Sequence, residues 1–136
     1  MWKGCETVRY LLDSFAWMEY FMGSERGEKV KKIVGDAATE CLVSAINIAE
    51  IYSKSIKVDG IDRAEDRKSF ILSRCAVIDV NDALAVEAAK IDVDMKKKVK
   101  GWGLADSIVL ATARAAGAKI VTWDKHFQGI AEVESF

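Results

Sequence analysis

Four carboxylates in this chain each lie beside a short apolar run. Asp13 follows Val8 to Leu12, and Asp124 follows Lys119 to Trp123. Asp106 opens the small-residue stretch Ser107 to Arg114, and Glu50 sits inside Ile46 to Tyr52. Asp13 and Asp124 would then end two buried strands, at the edge where open α/β sheets form ligand sites. Acids gathered at one edge repel, so the group must hold a proton or a cation. Oxygen donors of this type favour Mg²⁺ or Mn²⁺. A cation held by carboxylates suits phosphoryl transfer, where it stabilises the attacking and leaving oxygens. Ser14 and Thr122 add hydroxyls beside the first and last acids.

Each acid taken singly also has a plain structural use. Asp13 can cap a helix, Asp106 can face a helix macrodipole from the first turn, and Asp124 can open a turn. Glu50 shares a helical face with Ile46, Asn47, Ser53, Lys54 and Lys57 and can simply be solvated. The case for chemistry rests on their convergence. If the helices pack in sequence order, Asp13, Asp106 and Asp124 meet.

The elements that must bring them together can be traced from the hydrophobic pattern. Strands are expected at 8–12, 41–43, 76–78 and 119–123, with a short edge strand at 132–136. Helices are expected from Asp13 or Ser14 to Phe21, over 25–35, from Ser44 to about Val58, and over 61–74. The stripe Leu84, Ala88, Ile91, Met95, Val99 marks the longest, about 83–100, and a last helix runs from Leu104 to Ala116. Gly23-Ser24, Asp59-Gly60, Gly101-Trp102-Gly103 and Gly117 break them, in a chain without proline. Strands alternating with helices, with no hairpin signal, imply crossovers and a parallel sheet of four to five strands flanked by helices. The fold class is α/β, and residues 1–136 form a single domain.

Composition narrows the function classes. The chain has 136 residues, 51% hydrophobic, 30% charged and 9% aromatic, enough apolar matter for a core and too much for disorder. A net charge of −1 gives no global attraction to polyanions or membranes. No apolar run approaches the ~20 residues of a membrane span. Met1 to Leu12 carries no secretory signal pattern, which points to the cytoplasm. Cys5, Cys41 and Cys75 match no zinc or redox spacing and are expected as free, buried or half-buried thiols. Lys96, Lys97 and Lys98, with Lys100 and Trp102, form the densest basic stretch. It can hold RNA phosphates, with Trp102 stacking on a base, or serve as a solvated helix end. Lys29, Lys31 and Lys32 are a lesser patch, expected as ordinary surface. Trp17, Tyr20, Phe21 and Met22 crowd one helix, more than one face can bury; core packing explains part of this, and an apolar groove for a partner helix could explain the rest.

These residues, in this order, resemble the PIN-domain family, in particular the VapC-type toxins of toxin–antitoxin pairs. The resemblance rests on Leu11-Leu12-Asp13-Ser14, Asn47-Ile48-Ala49-Glu50-Ile51, Leu104-Ala105-Asp106-Ser107 with the helix after it, and Val121-Thr122-Trp123-Asp124-Lys125-His126-Phe127. It spans nearly the whole chain. It implies a Mg²⁺- or Mn²⁺-dependent endoribonuclease with Asp13, Glu50, Asp106 and Asp124 as its acidic quartet. Asp13, Asp106 and Asp124 would be metal ligands, with Ser14 and Thr122 in support and Glu50 ligating through water or orienting the attacking one. It further implies an RNA substrate, a homodimer, and a VapB-type antitoxin whose C-terminal segment inserts near the acids. Where many members carry a further acid, this chain has His126, so the resemblance stops short of a second tightly held metal. On its loop, His126 is expected to be solvated.

Two other classes compete. A binding module would keep the fold with a weak metal site and sequester RNA or protein. A phospho-acceptor domain would need paired acids after the first strand, and Asp13 is followed by Ser14 and Phe15.

Overall fold

The computed structural model describes residues 7–134. Four parallel strands form one sheet: β1 (Val8–Leu12), β2 (Thr39–Ser44), β3 (Ala76–Ile78) and β4 (Lys119–Val121), in the order β3-β2-β1-β4. Side chains alternate across a strand. Leu11, Leu42 and Ile120 therefore enter the core on one face, and Leu12, Val43 and Val121 the core on the other. Six helices cover the two faces: α1 (Ser14–Met22), α2 (Glu25–Gly35), α3 (Ala45–Asp59), α4 (Ile61–Arg74), α5 (Asp82–Lys96) and α6 (Leu104–Ala116). Trp17, Val30, Ile33, Ile51 and Ile71 bring α1 to α4 onto the Leu12 face. Val109, Leu110 and Ala113 bring α6 onto the Leu11 face, and Leu84 and Ala88 seat α5 against Ala111. Among the described residues no helix is long and apolar enough to cross a membrane.

The strand order places the site. From β1 the chain steps one way to β2 and β3, and β4 pairs the other side of β1, with Leu12 opposite Val121. A crevice opens outside the carboxyl ends of strands where the order reverses in this way. Asp13 and Thr122 are the next residues along β1 and β4.

β2 starts two residues earlier than expected, and three further boundaries differ from the sequence expectation. The fourth strand stops at Val121, not Trp123, because Thr122 turns inward and its Oγ1 accepts the Asp124 N–H at 3.0 Å. The helix expected over 83–100 stops at Lys96 and is no longer than α3. Four lysines in the five positions 96–100 repel across a helical turn. The chain instead folds back through Lys98 N–H to Met95 O (3.0 Å) and turns at Gly101, φ 84°. The expected edge strand at 132–136 reduces, among the described residues, to one parallel bridge between Ile120 and Val133; Ser135 and Phe136 lie outside them. Cys41 and Cys75 are free and buried, as expected, and Cys5 lies outside the described residues.

The aromatic crowd on α1 is mostly internal. Trp17 is fully buried, Tyr20 stacks on Phe70 of α4 (centroids 5.4 Å apart), and Phe21 stacks on Trp17 (5.7 Å). Met22 is left exposed. The turn from α1 to α2 depends on small residues. Gly23 adopts φ 68°, and Ser24 caps α2 by accepting the Gly27 N–H at 3.0 Å. A Cβ on Gly27 would lie 2.2 Å from the Glu19 carbonyl oxygen and 3.0 Å from the Tyr20 Cα. Both are backbone atoms, so the helices would have to part. Gly27→Ala is expected to cost roughly 2–3 kcal/mol. A thermal melt lowered by roughly 10 °C would show it, and an unchanged melt would show that the helices separate freely.

Candidate active site

Asp13 ends the central strand and starts α1. Its Oδ1 accepts the Ala16 N–H at 2.9 Å as the helix N-cap, and the Thr122 hydroxyl donates to the same carboxyl. It is 5% exposed. Burial pushes its pKa up to about 7, against the pull of those two hydrogen bonds, and the charges of Asp124 and Glu50 push the same way. Capping alone would place a carboxylate at the surface. Here the cap sits at the floor of a crevice, where its charge is held at a cost.

Glu50 comes from the second turn of α3. Its Oε1 accepts from Ser14 Oγ at 3.1 Å and from Asn47 Nδ2 at 3.0 Å. These two donors, one from α1 and one from its own helix, aim the carboxylate across the crevice. Ser14 therefore acts on Glu50, whereas Thr122 bridges Asp13 and the Asp124 backbone. Asn47 is 1% exposed, and its Oδ1 is buried with no hydrogen-bond partner.

Asp106 is the third residue of α6, and its Oδ2 accepts the Gly103 N–H at 3.0 Å. Asp124 caps a single 3₁₀ turn, Lys125–Phe127, through Oδ1 to the His126 N–H at 2.9 Å. That turn swings His126 inward. Its Nδ1 lies 3.2 Å from Asp106 Oδ2 and 3.7 Å from Asp124 Oδ1. Donor atoms of Asp106, Asp124 and His126 all fall within 4.8 Å of one another. His126 is therefore no solvated loop residue.

Asp13, Ser14, Asn47, Glu50, Asp106 and Asp124 line one cleft of about 440 Å³, which also receives Glu19 and Lys54. Phe15, Met18 and Met22 of α1 form its apolar wall. The quartet expected from the sequence is thus gathered, and the spacing of its members does what their convergence required. The donor set fits a divalent cation. Five carboxylates face one lysine, one carboxylate is buried with its pKa raised, and a buried amide oxygen of Asn47 lacks a donor at the cleft wall. Asp106 and Asp124 bring donor atoms close enough together to share an ion, and Asp13 lines the same cleft.

The basic stretch behaves differently. Trp102 is buried against Phe127 (centroids 5.2 Å apart), and its Nε1 donates to Ser107 Oγ at 2.7 Å. Its ring is in the core, so it cannot stack on a base, contrary to expectation. Lys96 and Lys98 stay exposed in pairs with Asp92 (2.8 Å) and Asp94 (3.0 Å). Exposed pairs of this kind are worth ~0–1 kcal/mol, so both cations can exchange partners. Three residues were named in the sequence but given no place in the site: Asn47, Lys54 and His126. Asn47 and Lys54 lie three and four positions from Glu50 on one helical face, which was the only signal.

A family model for the PIN domain matches residues 10–133. Among solved structures, a toxin–antitoxin complex from Klebsiella pneumoniae is 23% identical with a TM-score of 0.73, covering 93% of this chain and 96% of that one. VapC20 of Mycobacterium tuberculosis, described as a sarcin–ricin loop cleaving toxin, is 18% identical with a TM-score of 0.75, covering 93% and 99%. VapBC2 from Rickettsia felis, bound to a DNA fragment from its promoter, is 17% identical with a TM-score of 0.72, covering 93% and 96%. No curated protein matches the chain.

Proposed function

The chain belongs to the PIN-domain family, and on that premise we propose that it is a metal-dependent endoribonuclease, the toxin of a VapBC-type pair. The observation that carries this reading is the convergence of Asp13, Glu50, Asp106 and Asp124 on one cleft. When bound, Mg²⁺ or Mn²⁺ supplies an acidified water and positive charge at the scissile phosphate.

The residues divide the remaining work. Asp13, clamped by Ala16 N–H and Thr122, would offer the cation an oxygen ligand already fixed in place. Glu50 receives both its hydrogen bonds on Oε1, which leaves Oε2 to take a proton from the attacking water. Asp106, from the first turn of α6, and Asp124, from the turn after β4, line the same cleft. Water attacks phosphorus and the 3′-oxygen leaves, giving 5′-phosphate and 3′-hydroxyl ends without help from the 2′-hydroxyl.

Lys54 lines the cleft one turn beyond Glu50 and makes no ion pair among the described residues. It is the cation best placed to meet a substrate phosphate, with Lys96, Lys97 and Lys98 extending the track along the turn before Gly101. Lys54→Ala is expected to raise KM for RNA about tenfold with kcat unchanged, and to flatten the salt dependence of binding by about one unit of slope. An unchanged KM would remove Lys54 from the RNA path.

The antitoxin belongs to the same cleft. A segment placing apolar side chains on Phe15, Met18 and Met22 and a cation among the acids would block the site by competing with the metal. The neighbours solved as toxin–antitoxin complexes support such a partner. A homodimer is proposed on the family likeness. The direct test incubates purified protein with mixed single-stranded RNA oligonucleotides, with Mg²⁺ or Mn²⁺ and with EDTA. Cleavage that requires metal supports the reading. A folded protein that neither cleaves RNA nor binds Mn²⁺ would be a binding module instead.

A further inference from the structure

Beside two of the cleft's acids, Asp106 and Asp124, stands the imidazole of His126. We infer that His126, through Nδ1, is a nitrogen ligand of the cation held by Asp106 and Asp124, and that it biases the site toward first-row transition ions over Mg²⁺. The inference rests on the metal-dependent reading above and concerns which ion that site selects.

Three observations carry it. Nδ1 stands 3.2 Å from Asp106 Oδ2 and 3.7 Å from Asp124 Oδ1. Ligands around one ion with bonds near 2.0–2.2 Å lie about 2.9–4.4 Å apart, so these spacings are those of neighbours in a coordination shell. The ring is also held in place. Its backbone N–H is fixed to Asp124 Oδ1 at 2.9 Å, and on its far side a Cβ at Gly101 would come within 3.1 Å of Nε2. Gly101 has φ 84° and no side chain, so its turn closes over Nε2 and leaves Nδ1 facing the carboxylates. Finally, the buried, unpartnered Oδ1 of Asn47 at the wall of the same cleft is an acceptor awaiting a donor, as a water carried by the ion would provide.

The chemistry follows from ligand type. Mg²⁺ prefers all-oxygen octahedra and gains little from an imidazole. Mn²⁺ and the later divalent ions accept imidazole readily, and their affinity rises along the series where nitrogen is available. His126 stands two residues after the last acid, so the nitrogen enters without displacing any of the quartet. The competing arrangement is an Nδ1–H that donates to Asp106 Oδ2 across the same 3.2 Å. It would leave no lone pair on Nδ1 for the ion.

His126 is the chain's single histidine, so any imidazole signal from untagged protein is its own. The experiment adds Mn²⁺ to wild type and to His126→Gln, records pulsed electron paramagnetic resonance for ¹⁴N coupling, and titrates Mn²⁺ and Mg²⁺ separately by calorimetry. The expected result is ¹⁴N coupling in wild type that vanishes in the variant. Mn²⁺ affinity should fall about 10–100-fold and Mg²⁺ affinity by less than about threefold. Mn²⁺ bound to wild type without ¹⁴N coupling overturns the inference and leaves the nuclease reading standing. Wild type that binds no Mn²⁺ overturns both. The wild-type spectrum decides the first point even if the variant fails to fold.

Discussion

Asp106→Asn should lower metal-dependent RNA cleavage by about a thousandfold while the protein melts within a few degrees of wild type. The two halves of this result have separate causes. Asp106 lines the same cleft as Asp13, and on the proposed reading its loss removes a negative ligand where charge builds on the phosphate. Metal-derived charge stabilisation is worth several kcal/mol, and about 4 kcal/mol corresponds to a thousandfold in rate. The carboxylate's structural duty is different and smaller. Its Oδ2 accepts the Gly103 N–H at 3.0 Å, and an Asn oxygen can accept the same bond. At this third helical position an Asn still accepts the N–H of the cap residue Gly103, so α6 should keep its start. Cleavage rates measured under single-turnover conditions, with circular dichroism melts on the same preparations, separate the two effects. Cleavage retained within tenfold would show that Asp106 is a first-turn acid of the helix and no ligand. Loss of both activity and fold would leave the point to Asp124→Asn, which caps only a single 3₁₀ turn.

What the sequence could and could not show divides along local and non-local lines. Asp13 was legible because Tyr10, Leu11 and Leu12 end a short apolar run that reads as a buried strand, and the residue after it emerges at the sheet edge. Thr122 and Asp124 followed from the same logic on β4, even though the strand ends two residues early. Glu50 was harder. Its own helix presents a polar face there, and only Ser14 and Asn47 reaching Oε1 turn a solvated glutamate into a directed one. Ser14 lies 36 residues away in sequence, beyond any periodicity. Trp102 misled because it stands beside lysines. Its burial depends on Phe127, 25 positions later, and on the hydroxyl of Ser107. His126 was discounted for the same reason in reverse. A lone loop histidine carries no pattern, and the Gly101 turn and Asp106 carboxylate that orient it come from another part of the chain. Local propensity and hydrophobic period place elements and their ends. The identity of a site residue's neighbours depends on which loops the sheet order brings together.

Asp13→Asn should make the metal-free protein more stable at pH 8 and leave its stability unchanged near pH 4. Burial raises the folded-state pKa of Asp13 to about 7 from an ordinary 3.8. The folded protein therefore keeps a proton that the unfolded chain gives up between those values. Proton binding favours the folded state fully below pH 3.8, and that contribution is lost as pH rises through about 7. A shift of this size corresponds to roughly 4 kcal/mol over the whole window. Asn keeps the Ala16 cap but carries no charge, so the difference between variant and wild type should grow from pH 4 to pH 7 and then level off. Melts at pH 8 should separate by roughly 15 °C. A bound cation acts on the same carboxylate with the opposite sign. Mn²⁺ at a hundred times its dissociation constant should return about 2.7 kcal/mol to wild type at pH 8. It should return less at pH 5, where the proton must first be displaced, and little to the variant at either pH. This pattern would tie the strain at Asp13 to the ion that relieves it. A variant less stable than wild type by the same margin at every pH would instead make Asp13 a helix cap alone, and the raised pKa would then have no part in metal binding.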